Sequence, residues 1–198
     1  MPKSYHTPIV EDTYYHIYNR GNAGAILFYK EKNYSYFLKQ YQKYISPLLD
    51  TFAYCLLPNH FHFLARVKDE LDLSNIKNLA LHISEHFRRL FITYAQAINK
   101  QENRSGSLFQ KPFKRIPVER EAHLLSLVSY IHMNPSKHRI SKNFKQYPFS
   151  SYQSILSTNT TNLQRKIVLD WFGSKEAYIR FHEEMKSVHL DASIKIED

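Results

Sequence analysis

The motif His60-Phe61-His62 combines residue types and a spacing that suit metal chemistry. Side chains alternate across a β-strand, so two histidines two positions apart share one face, about 6.6 Å apart along the strand. Two imidazoles at that distance can bind one cation while Phe61 and Phe63 enter the core. The motif therefore predicts two metal ligands on a strand.

Two further candidates, Tyr130 and Asn134, lie in a later helical pattern. They are four residues apart, so a helix places them on one side, away from the centre of its apolar stripe. The Asn134 carbonyl oxygen is a hard ligand, which beside two imidazoles favours Mg²⁺ or Mn²⁺ over zinc. Tyr130 is then a candidate nucleophile. The alternative is that Tyr130 is an amphipathic residue at the rim of the core.

A second motif, His82-Ile83-Ser84-Glu85-His86, has the H-x-x-E-H spacing of inverted zinc peptidases. Ile83 belongs to the apolar stripe of a predicted helix, so the two histidines border the buried face and Glu85 lies opposite it. A peptidase also needs a third ligand, and nothing downstream identifies one. A zinc peptidase is therefore the less favoured alternative.

The elements that position these residues follow the order β-α-β-β-α-β-α. Strands are predicted at 14–20, 51–57, 60–67 and 111–118, and helices at 31–45, 74–99 and from 124 to a stop at Pro135. This order predicts an α+β, ferredoxin-like split βαβ fold, with an antiparallel sheet and helices on one face.

Residues 1–140 are predicted to form the catalytic domain, and residues 141–198 a C-terminal extension. The segment 141–162 is polar and is predicted to be a loop, whereas 170–185 has the pattern of a short amphipathic helix. The final part, 170–198, carries four basic and seven acidic residues, so direct contact with phosphates is not expected there.

The charge of the chain favours a polyanionic partner. Lys and Arg number 27 against 18 Asp and Glu, a net charge of +9, and 15 Tyr and 13 Phe accompany them. Cations neutralise phosphates and aromatic rings stack on bases, and the excess is concentrated between residues 86 and 120. The candidate DNA contacts are Arg104, Phe109, Lys111, Lys114 and Arg115. For each cation, ordinary surface solvation is the alternative.

Other features of the composition predict a cytoplasmic protein without membrane contact. Cys55 is the one cysteine, so an intramolecular disulfide is excluded. No apolar run approaches the roughly 20 residues that span a bilayer, and the first residues lack the apolar core of a signal peptide.

Five segments together resemble the single-tyrosine transposases of the HUH endonuclease superfamily, especially the REP-associated tyrosine transposases. They are YHIYNRGN (15–22), AYCLLPNHFHFL (53–64), GSLFQKPFKR (106–115), YIHMNP (130–135) and YPFSSY (147–152). The segments occur in the family's order and cover most of residues 14–152, which is more specific than any single motif.

The resemblance implies that His60, His62 and Asn134 bind a divalent cation, Mg or Mn, and that Tyr130 is the nucleophile. It implies cleavage and rejoining of single-stranded or hairpin DNA, formed by repeated palindromic elements, through a 5′-phosphotyrosine. Both a monomer and a homodimer are compatible with it. Insertion-sequence relatives have Gln where Asn134 stands, and residues 136–140 replace a glycine-containing turn that relatives often have. A nucleic-acid-binding module with this fold and no chemistry is the alternative.

Overall fold

The computed structural model of the protein describes residues 7–118 and 120–191. The strands are β1 (Tyr14–Arg20), β2 (Leu49–Leu57), β3 (His60–Val67) and β4 (Lys114–Val118). The α-helices are α1 (Glu31–Tyr44), α2 (Leu79–Gln101), α3 (Glu121–Lys137), α4 (Tyr152–Leu156), α5 (Arg165–Phe172) and α6 (Lys175–Asp191). Among the described residues, none of the helices has the length and hydropathy of a membrane-spanning segment.

The four strands form one antiparallel sheet in the order β2-β3-β1-β4. Strand β3 lies between β1 and β2, the two strands that α1 connects, which is the split βαβ arrangement. The predicted α+β ferredoxin-like fold is confirmed. The register pairs Tyr18 with His62 and Arg20 with His60, so the His-x-His motif lies beside the end of β1.

Helices α1 and α2 cover one face of the sheet, as predicted. This core contains Ile17, Phe61 and Phe63 from the sheet together with Phe37 and Tyr94 from the two helices. The aromatic rings pack closely: the centroids of Phe37 and Phe61 are 5.1 Å apart, and those of Phe37 and Tyr94 are 5.0 Å apart. Burial of each ring contributes of the order of 2–3 kcal/mol.

Helix α3 and the C-terminal helices cover the opposite face, which the sequence analysis leaves uncovered. This second core contains Cys55 and Leu64 from the sheet, Val128 and Ile131 from α3, and Tyr178 from α6. Strands β2 and β3 are apolar at successive positions, and both faces of such strands must be covered. The face that carries His62 therefore lies under α3.

The segment 147–164 covers the free edge of β2. The amide of Leu56 donates to the Phe149 carbonyl at 2.9 Å, and the Ser151 amide donates to the Tyr54 carbonyl at 2.9 Å. The amide of Gln164 donates to the carbonyl of Thr51, also at 2.9 Å. The C-terminal segment thus packs directly on the sheet through residues 149–164. They contain α4 where a loop is predicted, and Gly173, with φ of 85°, separates α5 from α6.

Two predicted boundaries are corrected by local hydrogen bonds and prolines. Helix α2 begins after Asn78, whose side-chain oxygen accepts from the Leu81 amide at 2.9 Å, and not at Ser74. Strand β4 begins at Lys114, three residues after the predicted start, because Pro112 in the preceding segment cannot donate to a ladder.

Helix α3 continues past Pro135 to Lys137, where the sequence predicts a stop. Proline has no N–H for the carbonyl of Ile131, four residues earlier. The side-chain amide of Asn134 lies 3.4 Å from that oxygen and donates to the Tyr130 carbonyl at 2.9 Å. The His138 amide then bonds the Asn134 carbonyl at 2.9 Å, so the helical pattern resumes after the proline.

Candidate active site

Strands β1 and β3 and helix α3 bring the predicted nucleophile opposite the His-x-His motif. The ring centroid of Tyr130 lies 5.8 Å from that of His62 and 6.1 Å from that of His16, in both cases edge to face. His60, His62 and Tyr130 line one cavity of about 80 Å³. The other lining residues are Tyr18, Asn19, Arg20, Lys114 and His138.

Each histidine of the motif has a hydrogen bond at Nδ1. His60 Nδ1 lies 2.7 Å from Asn59 Oδ1, and His62 Nδ1 lies 3.0 Å from His16 Nε2. Asn59 Oδ1 can only accept, so His60 carries its proton on Nδ1 and keeps the lone pair on Nε2. A proton on His62 Nδ1, donated to His16, gives His62 the same tautomer. Both rings can then offer Nε2 to one ion, the arrangement common in metal-binding histidines.

The environment keeps both histidines neutral. Burial, followed by the charges of His138, Arg20 and Lys137, lowers the pKa of His60 to about 3. Burial is also the main cause that holds the pKa of His62 well below its ordinary value. Neutral imidazole is the form that binds metal ions, so the pair is in its ligand form at neutral pH. The positive surroundings also suit a phosphate.

Asn134 lies one helical turn beyond Tyr130, fully buried, and does not line the cavity. Its Oδ1 makes no hydrogen bond to any described residue, which is unusual for a buried carbonyl oxygen. In residues 7–118 and 120–191, no three His, Cys, Asp or Glu side chains converge as a metal cluster. A third protein ligand would therefore be of another type. The Asn134 oxygen has suitable chemistry, but it lies outside the cavity that His60 and His62 line, so its role as a ligand stays a prediction.

The end of α3 adds two groups that the sequence analysis missed. Lys137 Nζ lies over the Tyr130 ring, 4.9 Å from its centroid, and the His138 ring lies 4.6 Å from that of His60. Helical spacing could have identified Lys137, because it is seven residues after Tyr130 and so lies on the same side of a helix. It was missed because the helix was predicted to stop at Pro135. His16 and Tyr18 were equally predictable from alternation along β1.

The predicted aromatic contact to DNA at Phe109 is corrected by the structure. Its side chain is only 5% exposed and packs against Phe91, with centroids 4.8 Å apart, in the core under α1 and α2. A ring so buried offers no face to a nucleobase. Arg104 is half-buried and Lys111 is exposed, and neither lines the cavity. Their contact with DNA stays a prediction.

Lys114 and Arg115, adjacent in sequence, point to opposite faces of β4. Lys114 lines the cavity, and its Nζ lies 5.4 Å from the centroid of the Tyr18 ring. Arg115 pairs in register with Ile17, and its Nε donates to the Thr7 carbonyl at 2.7 Å. The geometry therefore places Lys114, but not Arg115, where it can contact a phosphate at the site.

The zinc-peptidase motif has structural contacts in α2. His86 Nδ1 donates to the Tyr44 carbonyl at 2.8 Å, which ties α2 to α1. Glu85 accepts from Arg88 at 2.7 Å and also pairs with Arg89, and these contacts hold the pKa of Glu85 at about 2. These contacts account for both side chains without a zinc ion.

Two known proteins that are similar to this chain agree with the family that its motifs resemble. No family model matches the sequence. A curated protein of Haemophilus influenzae, named as a REP-associated tyrosine transposase, is 28% identical over 105 residues, which cover 52% of this chain. The match spans 58% of that relative's length.

A solved structure described as the REP-associated tyrosine transposase bound to a REP hairpin has the same fold. It superposes with a TM-score of 0.58 at 18% sequence identity, and the match covers 80% of this chain and 87% of that one. Sequence and fold together confirm the resemblance to REP-associated tyrosine transposases that the five segments predicted.

Proposed function

We propose that the protein cleaves and rejoins single-stranded DNA at hairpins, with Tyr130 as the nucleophile. The observation that carries this proposal is the placement of Tyr130 across one cavity from His60 and His62, with Arg20 and Lys114 in its walls. Hairpin DNA is the substrate class because the structural relative is bound to a REP hairpin.

The reaction exchanges one phosphodiester for another. Tyr130 Oη attacks phosphorus, the O–P bond to tyrosine forms, and the bond from phosphorus to the 3′ oxygen breaks. The phenol loses its proton, and the leaving 3′ oxygen gains one. The 5′ phosphate stays on Tyr130 until a 3′ hydroxyl reverses the step, so no external energy source is needed. The charges of Arg20, Lys114 and Lys137 offset the negative charge on the phosphate.

A divalent cation, Mg or Mn, fits the residues present. His60 and His62, which line the cavity, would hold it through Nε2, because their Nδ1 atoms already have partners. Asn134, whose buried Oδ1 has no hydrogen-bond partner among the described residues, is the proposed third ligand. When bound, such an ion polarises the phosphate and stabilises charge on the leaving oxygen. The hydrogen bonds from Asn59 and His16 fix the two rings in the required orientation.

A labelled hairpin oligonucleotide tests the proposal directly. Incubation with Mn²⁺ or Mg²⁺ should give a protein–DNA band that survives denaturation and disappears when a chelator is added first. The alternative function, a binding module on the same fold, gives a shifted band in a native gel and no denaturation-resistant band. That second result would overturn the nuclease proposal.

Changing His16 or Asn59 should weaken metal binding, although neither residue is a proposed ligand. His16→Phe removes the partner of His62 Nδ1, and Asn59→Ala removes the partner of His60 Nδ1. We expect each to lower the affinity for Mn²⁺ by about 10- to 100-fold, measured by calorimetry without DNA. The exposed His123→Phe is the control and should bind as the parent does. Unchanged affinity in both test variants would contradict the assigned roles.

Lys114 and Arg115 form a matched pair for testing DNA contact. Lys114→Gln should weaken hairpin binding and reduce the slope of log affinity against log salt by about 1, the effect of losing one phosphate contact. Arg115→Gln, on the opposite face, should leave the slope unchanged. Fluorescence anisotropy across a salt series measures both. Equal slopes for Lys114→Gln and the parent would show that Lys114 does not contact a DNA phosphate.

A further inference from the structure

A second hollow lies beside the candidate active site, on the other side of His60. Its volume is about 310 Å³, and it is separate from the cavity that contains Tyr130. The lining residues are Gly24, Ile26, Pro58, Asn59, His60, His138 and Ile140. His60 and His138 belong to both hollows, so the two adjoin through this pair of rings.

The walls of the hollow combine apolar side chains with the rings of His60 and His138 and the Asn59 side chain, and the hollow opens to solvent. Ile26 is 44% exposed and Ile140 is 40% exposed, and they come from segments far apart in sequence. Pro58 adds a third apolar wall, and the exposed His138 ring adds a flat one. No Lys, Arg, Asp or Glu is among the lining residues. Such a surface suits a planar heterocycle better than a phosphate.

Backbone hydrogen bonds hold these walls in place. The amides of Leu27 and Phe28, next to Ile26, both donate to the Pro58 carbonyl, at 2.7 and 3.0 Å. The amide of Ile140 donates to the Pro135 carbonyl at 2.8 Å, which anchors this residue to the end of α3. The hollow is therefore formed before any ligand arrives, which reduces the entropic cost of binding.

We propose that this hollow binds the nucleobase of the nucleotide next to the scissile phosphate. The proposal rests on the proposed function. A phosphate held between His60, His62 and Tyr130 has its neighbouring sugar and base within one nucleotide of the His60–His138 pair. The base of that nucleotide enters the hollow between Ile26 and Ile140, while the charged backbone stays beside Arg20 and Lys114. Apolar contact and stacking require a base but discriminate little among the four bases.

A double-mutant cycle between protein and DNA tests the subsite. The Tyr130→Phe protein prevents cleavage, and the scissile position is first mapped from the covalent product of the parent. Hairpins carry either an intact nucleotide or an abasic one on each side of that position. Fluorescence anisotropy measures the affinity of each hairpin for three proteins that all carry Tyr130→Phe. The first has no other change, the second also carries Ile26→Ala and Ile140→Ala, and the third, the control, also carries Ile92→Ala and Ile179→Ala. The control residues are exposed isoleucines elsewhere, at 41% and 36%.

In Tyr130→Phe and in the control, loss of one flanking base should weaken binding about tenfold, the usual effect of one stacked base. In the variant with Ile26→Ala and Ile140→Ala, the same loss should change binding less than about twofold, because the base has no hollow to fill. An equal effect in all three proteins would overturn the subsite and leave the proposed function standing. Failure of the parent protein to bind any hairpin would overturn both.

Discussion

Tyr130→Phe is expected to abolish the denaturation-resistant protein–DNA adduct while hairpin binding stays nearly unchanged. The substitution removes only the hydroxyl oxygen that would bond to phosphorus. The ring that packs edge to face against His16 and His62 remains, and so does the surface under the Lys137 ammonium group. If the adduct is lost while binding is retained, the hydroxyl oxygen of Tyr130 is therefore the atom that attacks the phosphate.

The measurement compares a denaturing gel with a native gel for the same labelled hairpin. Tyr36→Phe is the matched control, because Tyr36 lies on α1, packed against the core on the opposite face of the sheet. It should form the adduct at the rate of the parent. A persistent adduct in Tyr130→Phe would show that another side chain is the nucleophile.

The free energy of unfolding is expected to fall by about 2 kcal/mol between pH 7 and pH 5 because of His182 alone. His182 on α6 is fully buried, and its Nε2 lies 3.0 Å from His132 Nδ1 on α3. Its Nδ1 donates to the Tyr178 carbonyl at 2.8 Å, and His132 Nε2 lies 2.7 Å from Ser151 Oγ. This network joins the last helix to the helix that carries Tyr130.

The direction follows from the two pKa values of His182. Burial lowers its pKa to about 4 in the folded protein, against an ordinary value of 6.5 in the unfolded chain. Below pH 6.5 the unfolded chain therefore binds a proton that the folded protein does not. This contribution to stability is fully present above pH 7 and is lost as the pH falls from 6.5 towards 4.

Urea unfolding at pH 7 and pH 5 measures this contribution. His182→Gln should lose about 2 kcal/mol less than the parent over that interval, although it starts from a lower stability. His123→Gln, at an exposed position, should keep the parent's pH dependence. Identical pH dependence in the parent and His182→Gln would show that burial does not lower the pKa of His182 in the folded protein.

The parts of the site that depend on short-range periodicity were predictable from the sequence. Alternation placed His60 and His62 on one face of a strand, and helical spacing placed Tyr130 and Asn134 on one side of α3. The other features depend on contacts between distant residues. Nothing local to Phe109 shows that its ring packs under two helices and not against DNA.

The continuation of α3 beyond Pro135 illustrates the same limit. A helix is expected to stop near a proline because the proline has no backbone N–H to donate. Here the Asn134 side-chain amide lies near the carbonyl that the proline leaves without a donor. Recognition of that contact requires the helix to be built first. The groups at its end, Lys137 and His138, were therefore missed although they adjoin the site.

The hydrogen bonds along β2 limit how two copies of the chain can meet. Backbone groups of Thr51, Tyr54 and Leu56 are already paired with the C-terminal segment, so no further strand can add at that side. On the other side, β4 is only five residues long, and Pro117 within it has no N–H to donate. Continuous sheet formation between copies is thus disfavoured at both margins, which protects an aromatic-rich protein against self-aggregation through strand addition.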